Sequence, residues 1–166
     1  MLRFASFLLA GLLVATDAAP QSQTQGDGQS PTPVGIWMHP NKRIQIEIAP
    51  CGEQLCGTLV WLQKPNDPQG APLVDSKNKS PALRTRPLLG LSVLSGLRRT
   101  GDNSWEDGRI YNPEDGNDYD AQMSLQDDST LLVRASVLHS LFGKTLIWSR
   151  VNQTAFLPDR QARAGK

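Results

Sequence analysis

The chain has 166 residues, of which 39% are hydrophobic and 20% charged, with 17 lysines and arginines against 16 aspartates and glutamates. This near-neutral balance gives no electrostatic footprint for a polyanionic partner. Beyond the N-terminus no stretch approaches the roughly 20 apolar residues that a transmembrane helix needs. We therefore expect neither a nucleic-acid partner nor a transmembrane segment.

The N-terminus has the pattern of a secretory signal. Arg3 supplies a positive charge, the apolar run from Phe4 to Val14 is short, and small residues surround Ala18 and Ala19. Residues 1–19 are therefore predicted to be a signal peptide that is removed on export. The expected compartment is a bacterial periplasm, where the mature chain is soluble and two cysteines pair under oxidising conditions.

The remainder divides by composition into three parts. Residues 20–33 are polar and rich in Gln, Ser, Thr, Gly and Pro, which predicts a disordered linker. Residues 34–151 are long enough to form one domain with its own core, and the basic residues 152–166 show no apolar period. We expect those last residues to be a disordered tail.

The domain is predicted to be all-β because apolar and polar residues alternate with period two. Ile44, Ile46 and Ile48 alternate with Arg43, Gln45 and Glu47. Short turns rich in Gly, Pro, Asn and Asp separate most of the runs and are typical of antiparallel hairpins. Such strands could close as a barrel or pack as two sheets, and we favour an antiparallel up-and-down β-barrel of about eight strands because closure leaves no exposed sheet edge. The predicted strands, in chain order, are 34–38, 44–48, 55–63, 91–99, 108–111, 119–125, 131–138 and 144–151.

The segment from Lys64 to Gly90 interrupts this pattern. It carries five prolines and cannot form a central strand. A loop of this length in a small domain usually covers a barrel end or a binding site. Its second half lies in a stretch, 77–99, that is basic and lacks acids, and most of the acids follow in 102–128. The two stretches either neutralise each other or face water, or the basic one forms a mouth for an anionic ligand.

Cys51 and Cys56 are predicted to form a disulfide across a hairpin. If residues 52–55 are the loop, the two cysteines face each other at the first ladder position, within disulfide range. Such a short ring sets the strand register. A redox role is disfavoured because four residues separate the cysteines and a strand flanks each of them.

Several motifs resemble the bacterial exported family called domain of unknown function 2147, and they occur in the family's order across residues 34–151. The family has no assigned chemistry, so the resemblance implies fold and location. The motifs are Cys51-Gly52-x-x-Leu55-Cys56-Gly57, Val60-Trp61-Leu62, Arg84-x-Arg86-Pro87-Leu88-Leu89-Gly90-Leu91, Gly108-Arg109-Ile110-Tyr111-Asn112-Pro113-Glu114-Asp115-Gly116 and Trp148-x-Arg150-Val151.

A second resemblance is to the lipocalin and calycin barrels. Gly35-Ile36-Trp37 opens the first predicted strand and Arg150 closes the last. In those barrels the arginine lies over the indole, which implies that Trp37 and Arg150 close one barrel end. The long loop here follows the third strand rather than the first, which departs from the lipocalin pattern.

The sequence favours the hypothesis that the protein is a non-enzymatic periplasmic module that binds a small amphipathic or anionic ligand. A cavity lined by Trp61, Tyr111 or Tyr119 would favour it. We predict no catalytic residue, no metal and no cofactor, because no nucleophile or ligand cluster stands out. The candidate ligand-binding residues are Trp61, Asp75, Asn78, Arg84, Arg86, Arg109 and Tyr111.

Two alternatives remain open. A filled barrel with a flat apolar surface patch would indicate a module that binds an envelope protein or peptidoglycan. A hydrolase would instead gather the loop residues with Glu114 and Asp118 in a cleft of close-set Asp, Arg and Tyr side chains with shifted pKa values.

Overall fold

The computed structural model describes residues 32–137 and 143–152. The predicted signal peptide, most of the predicted linker and nearly all of the predicted tail lie outside these residues. Within the described part of the chain, no helix is long and apolar enough to cross a membrane.

The described residues form a closed barrel of eight strands, in which each strand pairs antiparallel with the next and the last pairs with the first. The prediction of an antiparallel up-and-down barrel is confirmed. The strands are β1 (Gly35–Met38), β2 (Ile44–Cys51), β3 (Gln54–Leu62), β4 (Ser92–Arg99), β5 (Ser104–Asn112), β6 (Asn117–Asp127), β7 (Thr130–Ser136) and β8 (Gly143–Arg150). A single 3₁₀ turn, Pro81–Leu83, lies in the long loop between β3 and β4.

The predicted start of β5 at residue 108 was wrong, because the strand begins at Ser104. Asp107 adopts a φ of 60°, and the pairing of β5 with β6 shifts register between Trp105 and Gly108. A bulge of this kind places two residues of one strand opposite one of its partner, so the alternation of side chains is lost locally.

The hydrophobic core fills one half of the barrel. Inward side chains of β1, β2, β4, β5, β6 and β7 pack there, as expected for strands that alternate between the barrel interior and solvent. Trp37, Ile48, Leu97 and Leu131 are completely buried. The other members of this packed half are Leu94, Trp105, Ala121, Met123, Leu125 and Val133.

The disulfide between Cys51 and Cys56 is present, but the predicted register of its hairpin was wrong. Cys51 pairs with Gln54, and Cys56 pairs with Ala49, so the turn contains only Gly52 and Glu53. Gly52 has a φ of +69°, which suits a two-residue hairpin turn. The cysteines are diagonal neighbours on one face of the sheet, with Cα atoms 5.8 Å apart.

Arg150 lies over Trp37 at the closed end of the barrel. The guanidinium carbon is 4.3 Å from the indole centroid, and the same guanidinium donates to the carbonyl of Val34 at 2.8 Å. Gly35 makes this contact possible, because a Cβ at that position would lie 2.7 Å from Arg150 Nη1. The indole N–H of Trp37 donates to the carbonyl of Pro33 at 2.7 Å.

Candidate functional site

The half of the barrel opposite Arg150 contains a cavity of about 850 Å³. Its mouth lies between the β1–β2 turn, the long β3–β4 loop, the β5–β6 turn and the ends of β7 and β8. Ligand sites for small molecules in proteins typically have volumes of roughly 300–1,000 Å³. The barrel is therefore open at one end and filled at the other.

The walls of the cavity are mainly apolar. They are formed by inward side chains of β2, β3, β4, β5 and β8, together with Leu73 and Leu88 of the long loop. These two leucines place the loop over part of the mouth. The apolar wall residues on the strands are Ile44, Ile46, Leu59, Leu62, Val93, Ile110, Leu146 and Trp148.

The rim of the cavity carries three basic residues and one acidic residue. Arg43, Lys64, Lys144 and Glu114 line the mouth, and all four are exposed. A backbone hydrogen bond of 2.8 Å from the amide of Gln63 to the carbonyl of Arg43 holds the first two of these cations close together, just before β2 begins and just after β3 ends. The mouth is therefore net positive, although the whole chain is close to neutral.

His39 and Trp148 contact each other in the wall of the cavity. The rings of His39 and Trp148 contact edge to face, with centroids 6.1 Å apart. Partial burial lowers the pKa of His39, so this imidazole is neutral at neutral pH. Trp148 is completely buried, and its indole nitrogen has no hydrogen-bond partner among the described residues.

A cluster around Asp75 fastens the long loop to the barrel. The carboxylate is fully buried and accepts hydrogen bonds from Tyr111 Oη at 2.6 Å and from Asn78 Nδ2 at 2.8 Å. Arg86 donates to it from Nε at 2.9 Å and from Nη2 at 2.8 Å. Arg84 joins the cluster indirectly, since its Nε donates to the carbonyl of Asn78 at 2.8 Å. We call these five residues the loop clamp.

The pKa values within the loop clamp follow from these contacts. Burial raises the pKa of Asp75, but the hydrogen bonds from Tyr111, Asn78 and Arg86 outweigh it and leave the pKa below its usual value. Burial and the bond to Asp75 raise the pKa of Tyr111. The clamp is therefore an ionised carboxylate with a neutral phenol, and every partner of the carboxylate is a donor.

A second contact seats the loop on the β5–β6 turn. Gly116 has a φ of +71°, and a Cβ built on it would lie 2.0 Å from the carbonyl oxygen of Lys77. Only glycine combines this backbone conformation with so close an approach. The loop backbone therefore rests directly on the turn.

A smaller groove of about 280 Å³ lies beside the clamp, outside the barrel interior. Asn78, Arg86, Arg109 and Tyr111 line it. Arg109 forms an ion pair with Asp120 on the neighbouring strand. Tyr111 lines both the groove and the cavity, and so separates them.

A family model described as "Uncharacterized protein conserved in bacteria (DUF2147)" matches residues 35–150. The chain belongs to this family. The match spans all eight strands and the long loop. No curated protein matches the chain.

One solved structure shares the fold with this DUF2147 chain. Its title reads "Protein HP1028 from the human pathogen Helicobacter pylori belongs to the lipocalin family". The two superpose with a TM-score of 0.64 at 23% sequence identity, over 74% of this chain and 85% of that one. The similarity confirms the lipocalin-like fold expected from the sequence.

The motifs that carry the DUF2147 resemblance build the structures just described. Cys51 and Cys56 form the disulfide hairpin, and Arg84 and Arg86 belong to the loop clamp. The motif from Gly108 to Gly116 supplies Tyr111 for the clamp and the glycine on which the loop rests. Two of the five motifs therefore fasten the β3–β4 loop onto the barrel.

The structure brings most of the sequence-predicted ligand-binding residues together. Asp75, Asn78, Arg84, Arg86 and Tyr111 form the loop clamp, and Arg109 lines the adjoining groove. Tyr111 also lines the large cavity, as does Tyr119. Trp61 is half-buried on β3 and is absent from the lining of both the cavity and the groove.

Sequence reasoning missed the rim cations and Trp148. Arg43 and Lys64 lie in the β1–β2 and β3–β4 connections, and Lys144 is the second residue of β8, next to the β7–β8 connection, so the three are far apart in the sequence. The sequence does contain a signal for these cations, because the first, third, fifth and seventh connections of an up-and-down barrel lie at the same end. Sorting the charged residues by connection would have placed these cations together.

The part of the chain that the structure describes offers no group of three His, Cys, Asp or Glu side chains that could hold a metal ion. The Asp75 carboxylate is fully buried and already accepts hydrogen bonds from Tyr111, Asn78 and Arg86. A general base needs a free lone pair near the substrate. The loop clamp therefore has the character of a structural anchor.

Proposed function

We propose that this protein is an exported, non-enzymatic periplasmic barrel that binds a small amphipathic anion in its cavity. The observation that carries the proposal is the combination of an apolar interior with a basic rim. An apolar chain inside the barrel would leave water, and an anionic head group at the mouth would lie near Arg43, Lys64 and Lys144.

The loop clamp contributes to ligand binding by holding part of the long loop at the mouth of the cavity. Leu73 and Leu88 lie on either side of the clamped segment and line the mouth. The backbone pairs Asp75 with Arg86 and Leu88 with Leu73, at 3.0 Å and 2.9 Å. Arg84 and Arg86 would therefore affect ligand binding by holding these two leucines in place.

The other two functions considered have less support. A cavity of this size argues against a barrel that is filled throughout. Among the described residues, the acid–base candidates Asp75 and Tyr111 bind each other, and Glu114 lies on the rim of the other pocket. Asp118 lines the smaller groove with Arg86, Arg109 and Tyr111, but it is exposed to solvent, whereas a catalytic carboxylate is usually held in a cleft that excludes water.

The binding experiment compares head groups on one chain. Dodecanoate and dodecyltrimethylammonium, each below its critical micelle concentration, are titrated into the protein by calorimetry. We expect the anion to bind at least about 10-fold more tightly than the cation, and the difference to shrink at high salt because exposed charges are screened. Equal affinities for the two compounds would show that the basic rim does not select an anionic head group.

Variants then locate the head group. Arg43→Gln, Lys64→Gln and Lys144→Gln should each weaken dodecanoate binding about 2- to 5-fold, the range for exposed ion pairs. Arg98→Gln removes an exposed cation outside both pockets and is the matched control. A weakening by Arg98→Gln as large as that from the rim variants would show a non-specific charge effect.

Export is tested separately. The disulfide between Cys51 and Cys56 supports an oxidising compartment. Cell fractionation and intact mass should find the protein in the periplasm, cleaved beside Ala18 or Ala19, and free of reactive thiols. Full-length protein with reduced cysteines in the cytoplasm would contradict this part of the proposal.

A further inference from the structure

The smaller groove lies between the long β3–β4 loop and the outer face of β4, β5 and β6. Ser95, Arg109 and Asp118 line its strand side and are exposed, and Leu83 and Arg86 line its loop side. Its volume of about 280 Å³ is close to the lower end of the range for small-molecule sites, roughly 300–1,000 Å³. The groove is therefore suited only to a small molecule.

Both arginines of the groove are held by carboxylates and keep spare donors. Arg86 uses Nε and Nη2 for Asp75, and Arg109 uses Nη1 for Asp120. Arg86 Nη1 and Arg109 Nη2 have no acceptor among the described residues. The two side chains remain 35% and 51% exposed, and a guanidinium carries five N–H donors in a rigid fork. The arginines are therefore positioned in advance and can still donate to a ligand.

Asp118 brings the opposite charge to the same groove. In the β5–β6 ladder it lies opposite Tyr111, and Asp120 lies opposite Arg109. Asp118 and Arg109 are therefore diagonal neighbours on one face of the sheet, roughly 7–8 Å apart. Since Arg109 pairs with Asp120, Asp118 has no ion pair or hydrogen bond within the part of the chain that the structure describes. The groove presents guanidinium donors and an unpaired carboxylate side by side.

We propose that the smaller groove binds a small zwitterion, an α-amino acid with a short apolar side chain. Its carboxylate accepts hydrogen bonds from Arg86 and Arg109, its ammonium group lies at Asp118, and its side chain contacts Leu83. A simple anion would be repelled by Asp118, and a simple amine would leave the arginine donors unused. An α-amino acid carries both charged groups on one carbon atom, which suits charges on neighbouring strands. This site is separate from the cavity and does not depend on the proposed function.

The test compares alanine with two analogues that each lack one charge. Propionate lacks the ammonium group, ethylamine lacks the carboxylate, and both keep the methyl group. L-alanine and D-alanine are titrated separately into the isotope-labelled protein at neutral pH, and NMR follows the backbone amides of Ser95, Arg109 and Asp118. We expect saturable shifts at these amides, with the tighter enantiomer binding at least about 3-fold more tightly than either analogue, within the range for one exposed ion pair.

Two variants assign the charges. Arg109→Gln should weaken alanine and propionate binding about 2- to 5-fold and leave ethylamine unchanged, whereas Asp118→Asn should weaken alanine and ethylamine but not propionate. Arg98→Gln and Asp102→Asn remove exposed charges of the same signs outside both pockets and are the matched controls. Thermal melting checks that each variant is folded, and the ligand comparison in the wild type decides if one is not.

The outcomes that would overturn the inference are distinct from those that bear on the cavity. Propionate or ethylamine binding the groove as tightly as alanine would overturn it, and so would the absence of saturable shifts at millimolar alanine. Glycerol binding as tightly as alanine would indicate a groove for neutral hydroxyl groups and would also overturn it. Control variants with effects equal to those of Arg109→Gln and Asp118→Asn would reduce the preference to a general charge effect. Ligand binding in the cavity is measured separately, with dodecanoate.

Discussion

The hydroxyl of Tyr111 donates to Asp75 Oδ1 at 2.6 Å and thereby joins the barrel wall to the long loop. Tyr111 also lines the cavity, while Asp75 follows Leu73 by two residues and its backbone amide donates to the carbonyl of Arg86, two residues before Leu88. One hydrogen bond therefore links the wall of the cavity to the segment that covers its mouth. The predictions below follow from this link and from the contacts around it.

Asp75→Asn should destabilise the protein by about 2–3 kcal/mol, because the charged hydrogen bonds from Arg86 to a buried carboxylate are lost. The measurement is the free energy of unfolding in urea, followed by circular dichroism. Asp102→Asn changes an exposed aspartate in the β4–β5 turn and should alter stability by less than about 0.5 kcal/mol. Equal effects of the two substitutions would contradict the role given to the loop clamp.

Stability should depend on pH through Asp75. Its pKa is lower in the folded chain than in the unfolded chain, so the folded state is stabilised when the carboxylate is ionised. This contribution is fully present above about pH 5 and is lost as the pH falls through 4 and below. The free energy of unfolding in urea, measured from pH 6 to pH 2.5, should fall less steeply with decreasing pH in Asp75→Asn than in the wild type. Parallel curves would rule out Asp75 as a source of acid sensitivity.

Tyr111→Phe removes the hydroxyl and leaves the ring. We expect a loss of about 1–2 kcal/mol, because Asp75 keeps its bonds to Arg86 and Asn78. Hydrogen exchange should accelerate mainly at the loop amides of Asp75 and Leu88, whose bonds hold the loop together. Tyr119→Phe is the control, since its hydroxyl donates to Asp115 within the β5–β6 hairpin. Faster exchange spread evenly over the barrel would contradict a local anchor.

Gly116→Ala should displace the β3–β4 loop from the β5–β6 turn. Gly116 and Gly52 have φ angles of +71° and +69°, but only a Cβ on Gly116 would overlap another backbone atom, the carbonyl oxygen of Lys77. Gly52→Ala should therefore cost about 1 kcal/mol from backbone strain alone, and Gly116→Ala distinctly more. The comparison is made by thermal melting. Equal losses would mean that the loop accommodates the methyl group without cost.

Replacing both Cys51 and Cys56 by serine should lower stability by about 2 kcal/mol, as expected for so short a ring. The barrel should persist, because the two-residue turn and the β2–β3 ladder remain. Urea unfolding with and without reductant measures this effect in the wild type and the double variant. Collapse of the barrel in the variant would show that the disulfide does more than set the register.

The barrel could be predicted because alternation is a property of single strands, and turn residues mark where each strand ends. The two errors occurred where local geometry breaks the alternation. Asp107 adopts a positive φ and forms a bulge in β5, and Gly52 allows a turn two residues shorter than expected. Neither feature has a periodicity that a sequence pattern can reveal.

The candidate site was predictable only in part. The sequence grouped Asp75, Asn78, Arg86 and Tyr111 correctly as neighbours. It could not reveal that their hydrogen bonds satisfy one another, because that depends on side-chain geometry. The rim cations come from two connections and the start of β8 and meet only when the barrel closes, and the unpaired indole of Trp148 is visible only in the packed structure.

The most direct test of the central claim is an NMR titration of the isotope-labelled protein with dodecanoate, read at the backbone amides and the indole N–H groups. The proposed function predicts saturable shifts at the cavity wall and rim, including Ile46, Lys144 and Trp148, and little change at Trp105. Shifts confined to Asn78, Arg86 and Arg109 would place the ligand in the smaller groove, and the absence of saturable shifts would contradict ligand binding by the barrel.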